Sequence, residues 1–154
     1  MTPAVKVAER AKVEFRIHEY DHDPTADSYG EEAAEKLGIA PQCVFKTLVV
    51  SQGADLAVAV LPVSQQLNLK QFAKAIGAKK VAMADKAVVQ RVTGYVLGGV
   101  SPLGQKKALT TVIDASAKEF NTIYVSAGRR GLEIELSPQD LGRLTRGTFA
   151  VIGA

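Results

Sequence analysis

The run Gly98-Gly99-Val100-Ser101-Pro102-Leu103-Gly104-Gln105-Lys106-Lys107 sets three glycines and a proline ahead of two lysines. Glycine lets a backbone approach a ligand closely and proline stiffens a turn. Such a loop offers peptide groups to a ligand, and its lysines could meet phosphate. The plain alternative is a structural turn between two elements. A second candidate is Lys46, set inside the apolar run Val44-Phe45-Lys46-Thr47-Leu48-Val49-Val50. By period two it shares a strand face with Val44, Leu48 and Val50. Lysine is seldom fully buried without a partner. Lys46 therefore either snorkels to water at an edge or places its ammonium in a pocket, as a donor to an anionic or ester group.

Other reactive types form no standard set. His18 and His22 are the only histidines and Cys43 the only cysteine. A strand and loop between the histidines give no helical metal pair, so both read as ordinary surface residues and zinc is not expected. Ser101 lacks the Gly-x-Ser-x-Gly context of a nucleophile elbow, and its hydroxyl reads as a loop group or its N–H as a donor. The glycines fit neither the dinucleotide fingerprint nor the phosphate loop, so no nucleotide cofactor is expected. Carboxylates look scattered, with no evident dyad. An enzyme built on these residues would work by positioning and backbone electrostatics.

The elements that must hold these residues alternate between helix and strand. Thr2-Pro3 starts a helix running to about Lys12. Val13, Phe15 and Ile17 alternate with polar residues as a half-buried strand ending at Tyr20, which lies on its polar face with His18. Asp21 to Thr25 reads as a loop. Ser28 with Glu31 forms a capping box, and Gly38 ends that helix. Val44–Val50 and Asp55–Leu61 read as strands about a turn at Gly53. Asn68 caps a helix stopped by Gly77, and Asp85 one stopped by Gly94. Strands are expected at Leu109–Ile113, Thr122–Ser126 and Leu132–Leu136, the last two flanking the hairpin signal Gly128-Arg129-Arg130-Gly131. Ser137-Pro138 opens the last helix, and Thr148–Ile152 is a candidate closing strand. The hairpin argues against a purely parallel sheet, and the class is a mixed α/β domain.

Length and composition agree. The chain has 154 residues, is 47% hydrophobic and carries a formal net charge of +3, which suits one domain over residues 1–154. No run approaches a membrane span, and the start lacks a signal-peptide layout, so a cytoplasmic location is expected. The basic pairs Lys79-Lys80, Lys106-Lys107 and Arg129-Arg130 each sit beside glycine, in turns. The mild positive charge permits a polyanion partner without demanding one.

Several of these segments together resemble the YbaK family: Val44-Phe45-Lys46-Thr47-Leu48, Gly77-Ala78-Lys79-Lys80-Val81, Thr93-Gly94-Tyr95, the Gly98–Lys107 loop and Ile123-Tyr124-Val125-Ser126. The opening Met1 to Lys6 and Glu19-Tyr20-Asp21-His22-Asp23-Pro24 also resemble it, so the likeness covers nearly the whole chain. These are trans-acting aminoacyl-tRNA editing proteins related to the insertion domain of bacterial prolyl-tRNA synthetase. The resemblance implies a mixed, bifurcated sheet wrapped by helices. It implies hydrolysis of tRNAPro mischarged with cysteine, with the acceptor end of aminoacylated tRNA and prolyl-tRNA synthetase as partners and no metal or cofactor. The family's required lysine falls on Lys46, and its Gly-x-x-x-Pro loop on Gly98 to Pro102, with Gly99, Val100 and Ser101 inside it. Its pocket tyrosine falls on Tyr20, and the neighbouring aromatic position is Tyr29. Thr47, Ser126 and Arg130 fall where the family lines the same pocket. Some relatives carry Phe at position 29 and Lys at position 129.

In this family the substrate's own thiol is thought to attack its ester. Lys46 would then bind the adenosine end or an ester oxygen, and N–H groups from Gly98 to Ser101 would face the carbonyl. Two alternatives stand beside this reading: an Ala-tRNAPro deacylase using water, and a non-catalytic module that binds tRNA or the synthetase.

Overall fold

In the computed structural model, which describes residues 1–26 and 28–154, local signals set most element boundaries. Helix α1 (Pro3–Ala11) starts where the Thr2 hydroxyl accepts from the Val5 N–H at 3.3 Å, and it buries Ala4, Val5 and Ala8. Helix α2 (Tyr29–Leu37) starts at Ser28, whose Oγ accepts from the Glu31 N–H, and stops at Gly38. Helices α3 (Leu69–Ala75), α4 (Lys86–Thr93) and α5 (Pro138–Thr145) are capped by Asn68, Asp85 and Ser137. Each cap oxygen takes a helix N–H that would otherwise lack a partner.

The strands are β1 (Phe15–Glu19), β2 (Phe45–Gln52), β3 (Asp55–Pro62), β4 (Ala82–Met83), β5 (Thr110–Asp114), β6 (Ile123–Arg129), β7 (Leu132–Leu136) and β8 (Thr148–Ala150). They form two sheets, one in the order β1-β7-β6 and one in the order β4-β2-β3-β5-β8. The first is antiparallel throughout. In the second, β2 pairs antiparallel with β3 and β4, while β3, β5 and β8 run parallel. A single parallel bridge, Val44 to Tyr124, ties the entrance of β2 to β6. The sheets meet there and splay apart, which is the mixed, bifurcated arrangement the resemblance implied.

The main core fills the space between the sheets. Phe45, Val49, Val58, Val60 and Ile113 meet Ile123, Val125, Ile134 and Leu136, with Ala4 and Ala8 of α1 closing one side. On the opposite face of the larger sheet, Val50, Ala59, Leu61 and Val112 pack on Phe72 of α3. Strand β3 is therefore buried on both faces, as its unbroken apolar run requires.

Three local expectations shift. The first strand begins at Phe15 rather than Val13, and its alternation breaks where Ile17 stands 38% exposed while His18 is half-buried. The closing strand stops at Ala150 because the buried Asp114 carboxylate takes the N–H groups of Ile152 and Gly153 away from a continued ladder with β5, at 2.9 and 3.2 Å. The two-residue strand β4 carried no sequence signal. It pairs Met83 with Val50 and Ala82 with Ser51, and so leaves the Lys46 end of β2 unpaired on that side.

Candidate active site

Where the two sheets diverge they leave a cleft of about 260 Å³. Strand β2 forms its floor through Phe45, Lys46, Thr47 and Leu48, and the start of α2 forms one wall through Ser28, Tyr29 and Gly30. Leu97, Gly98 and Val100 supply a second wall, and Ser126 and Glu133 of the smaller sheet line the cleft with Tyr20, which follows β1.

Lys46 has an ion-pair partner nowhere among the described residues. Burial pushes its ammonium below the usual lysine range, opposed weakly by Glu31. A half-buried cation is costly without a complement, and the adjoining cleft leaves room for one. Next along β2, the Thr47 hydroxyl is buried and has no hydrogen-bond partner among the described residues. A buried hydroxyl without a partner on a cleft wall is a group prepared for a ligand.

The glycine loop begins with a turn in which the Gly99 N–H donates to the Val96 carbonyl at 2.9 Å. Gly98 takes φ +83° there, and a Cβ on it would meet the Tyr29 ring at 2.8 Å. Gly99 packs against the Arg129 backbone with the same closeness. Ser101 is fully buried; its Oγ accepts from the Leu103 N–H, and its carbonyl accepts from Gln105. The Tyr95 hydroxyl donates to the Leu103 carbonyl at 2.6 Å, which fastens the loop from beneath. Gly98 and Val100 therefore stand on the cleft wall, whereas Gly99, Ser101 and Pro102 hold the loop from behind. This narrows the expectation that every N–H from Gly98 to Ser101 faces a carbonyl.

Arg130 also lies outside the lining. Its Nε donates to the Leu97 carbonyl at 2.8 Å, and its guanidinium sits 4.9 Å from the centre of the Tyr29 ring. One exposed side chain thus ties the β6–β7 hairpin to both the glycine loop and α2. Tyr20 is placed from the same hairpin, its N–H donating to the Gly131 carbonyl at 3.0 Å. Burial pushes its phenol up to about 12, with Glu133 and Glu32 adding to the rise. Ser126 is on the wall, its Oγ accepting from the Gly128 N–H.

The sequence reading missed two carboxylates. Glu133 is only 7% exposed and lines the cleft, and burial pushes its carboxyl up to about 8. In the strand Leu132-Glu133-Ile134-Glu135-Leu136 it reads as solvent-facing. That face of the sheet looks into the cleft instead, with Ser126 beside Glu133 in register. Glu32 is also buried. Burial would raise its carboxyl, but His22 at 2.8 Å, the Asp23 N–H at 2.7 Å and Lys36 together hold it below the usual range. His22 and His18 are therefore not ordinary surface residues: His18 pairs with Glu135 at 2.9 Å.

No histidine or cysteine lines the cleft among the described residues. The Cys43 thiol donates to the Ala40 carbonyl and is pushed up by burial, so it is a poor nucleophile. No three metal-ligating side chains gather among the described residues, and no described helix is long and apolar enough to cross a membrane. Lys79, Lys80, Lys106 and Lys107 are exposed and outside the cleft lining, and Arg129 faces Glu19 at 3.7 Å.

A cleft with a cation, an unpaired hydroxyl, a buried carboxyl and a glycine-loop wall, but no thiol or imidazole among the described residues, can position a substrate. The profile of the aminoacyl-tRNA editing domain matches residues 22–144, and the chain belongs to that family. It is 42% identical over 152 residues to the Enterococcus faecalis protein named "Putative Cys-tRNA(Pro)/Cys-tRNA(Cys) deacylase EbsC", covering 98% of this chain and 92% of that one. It is 32% identical over 100 residues to the proline–tRNA ligase of Desulforamulus reducens, a stretch that is 65% of this chain and 17% of the ligase. Two solved structures share the fold. "Hypothetical protein APE2540" superimposes with TM-score 0.87 at 24% identity over 99% of this chain and all of that one. "A putative trans-editing enzyme for prolyl tRNA synthetase" does so with TM-score 0.84 at 19% identity over 100% and 99%.

Proposed function

We propose that this protein is a trans-acting deacylase that cleaves cysteine from mischarged tRNAPro, and from Cys-tRNACys as well, alongside prolyl-tRNA synthetase. The observation that carries the reading is the company Lys46 keeps. Among the described residues, a half-buried, unpaired ammonium shares a small cleft with an unpartnered hydroxyl and a glycine-loop wall, and no protein thiol or imidazole lines it. The relationship to a protein named for this activity supports the same conclusion.

The chemistry then falls to the substrate. The cysteinyl thiolate attacks its own ester carbonyl, forming a C–S bond as the bond to the ribose oxygen breaks. The ribose oxygen leaves as the free hydroxyl, taking the proton the thiol lost, and water later opens the cyclic thioester. A thiol is a competent nucleophile near neutral pH once partly ionised. Lys46 stabilises charge on an ester or terminal-nucleotide oxygen, and the peptide groups of Gly98 and Val100 form the wall against which the carbonyl is held. Tyr20, Tyr29 and Ser126 bound the space for the aminoacyl group, and Thr47 offers its unpaired hydroxyl. Pocket size discriminates by only ~1–3 kcal/mol per methylene, so thiol participation supplies a selectivity that size cannot.

The test is a deacylation panel of Cys-, Ala- and Ser-tRNAPro with Cys-tRNACys. Rapid loss of cysteine from both cysteinyl tRNAs, with alanine and serine retained, is the expected result. Preferential loss of alanine would replace this reading with a water-dependent alanine deacylase. Binding without turnover of any member would make the protein a tRNA-holding module.

A further inference from the structure

Glu133 takes no part in the bond changes of the thiol-assisted step. It is more than nine-tenths buried, and among the described residues burial alone shifts its carboxyl, with no hydrogen bond or ion pair engaging it. A carboxyl in that position is costly unless a ligand meets it. Its neighbours do not supply a fixed partner. Ser126, across the β6–β7 pair, has its Oγ committed to the Gly128 N–H. His18, across the β1–β7 pair, reaches past Glu133 to Glu135. The Tyr20 phenol raises no countercharge, and Lys46 lies on the same cleft without bonding to it.

We propose that Glu133 receives the α-amino group of the aminoacyl ester, so that the cleft selects free aminoacyl-tRNA over esters whose amine is missing or acylated. This deepens the deacylase reading and rests on it. An aminoacyl ester that reaches Lys46 with its carbonyl end carries its amine one carbon away, and Glu133 lines the same cleft from the smaller sheet. A carboxylate is the complement of an ammonium there, and a charge-assisted hydrogen bond is among the stronger contacts available. Burial favours the neutral carboxyl in the empty cleft, with the group pushed up to about 8. An arriving ammonium reverses that preference, because an opposite charge at hydrogen-bond distance favours the carboxylate. The site then holds a compensated pair rather than two isolated charges. The amine anchors the α-carbon, which fixes where the thiol swings relative to the ester. A site built to hydrogen-bond a substrate N–H rejects analogues lacking it, since its own buried group is left unpaired.

The experiment uses the full chain and an acceptor-stem microhelix of tRNAPro charged with cysteine or with 3-mercaptopropionate, which keeps the thiol and lacks the amine. The wild-type protein is expected to cleave the cysteinyl ester about tenfold to a hundredfold faster, judged by kcat/KM. In Glu133→Gln the two esters should converge through loss on the cysteinyl ester alone. Equal rates on both esters with the wild-type protein overturn the proposal without any variant. Equal loss on both esters in Glu133→Gln also overturns it, by making Glu133 structural. Failure of the wild-type protein to cleave the cysteinyl ester instead sinks the deacylase reading itself.

Discussion

Gly98 lies flat against the ring of Tyr29, so close that a Cβ on the glycine would come within 2.8 Å of the ring carbons. The contact joins the glycine loop to the first turn of α2 and closes one end of the cleft. Arg130 caps it from outside, over the same ring and bonded to the Leu97 carbonyl. The Gly98→Ala variant must move the loop or the ring, and its left-handed φ of +83° adds strain of about 1–2 kcal/mol. We expect a lowered melting temperature and at least a tenfold loss of Cys-tRNA cleavage. A variant with full activity would show that the Tyr29 wall is not needed.

Lys46 should behave differently. Its ammonium is half-buried without an ion partner among the described residues, so its removal relieves a desolvation cost while deleting the proposed ligand contact. Lys46→Met is expected to keep or slightly raise the melting temperature and to lose about 10²–10³-fold in kcat. The sign with pH follows from burial. The folded state holds the Lys46 proton less tightly than the unfolded chain does, so this group's penalty shrinks as pH rises through its lowered titration range. An active Lys46→Met protein would remove Lys46 from the reaction.

Local signals made the frame of the site legible. The caps Thr2, Ser28, Asn68, Asp85 and Ser137 each bond a helix N–H, because capping depends on a few neighbouring residues alone. Lys46 stood out because a cation interrupts an apolar strand. Glu133 did not, because alternation tells which residues share a face but not whether that face meets water or a cleft. Whether Ser101 or Gly98 touches a ligand was equally hidden. Both lie in one loop, and only the packing of that loop on Tyr95, Tyr29 and the hairpin turns one inward and the other to the cleft.

That difference makes Ser101 a control. Its hydroxyl is fully buried and accepts from the Leu103 N–H, so Ser101→Ala leaves one buried donor unpaired. A stability loss of about 1–3 kcal/mol is expected, with Cys-tRNA cleavage changed by less than about threefold once the protein is folded. A loss of several hundredfold at full folding would instead make Ser101 the nucleophile.

Glu32 anchors the segment before α2. It accepts from His22 at 2.8 Å and from the Asp23 N–H at 2.7 Å, and Lys36 lies 3.3 Å away. Burial opposes its ionised form, and these three donors outweigh burial and hold it below the usual range. This contribution to stability is present above the unfolded carboxyl range and is lost as pH falls through the lowered folded value. Glu32→Gln should therefore unfold at a lower temperature than the wild-type protein at pH 7, with the gap narrowing in acid. A constant gap from pH 7 to pH 3 would show that the His22 and Lys36 contacts carry no charge-dependent stability.

Glu133 has the opposite sign. Its folded value of about 8 stands above the ordinary 4.5 because burial penalises the carboxylate. Between those values the unfolded chain gives up the proton while the fold keeps it, so the unfolded state binds fewer protons and stability falls as pH rises. Below the lower value both states are protonated and the penalty is absent; above the higher one it is complete. Glu133→Gln cannot ionise and keeps the shape. Its melting temperature should match the wild-type protein near pH 4 and exceed it increasingly toward pH 8.5. The same variant is expected to be the slower enzyme on cysteinyl-tRNA, so its gain in stability and loss in rate come from one buried carboxyl. A pH-independent difference in melting temperature would mean that Glu133 is already ionised in the fold, held by a contact other than the incoming amine.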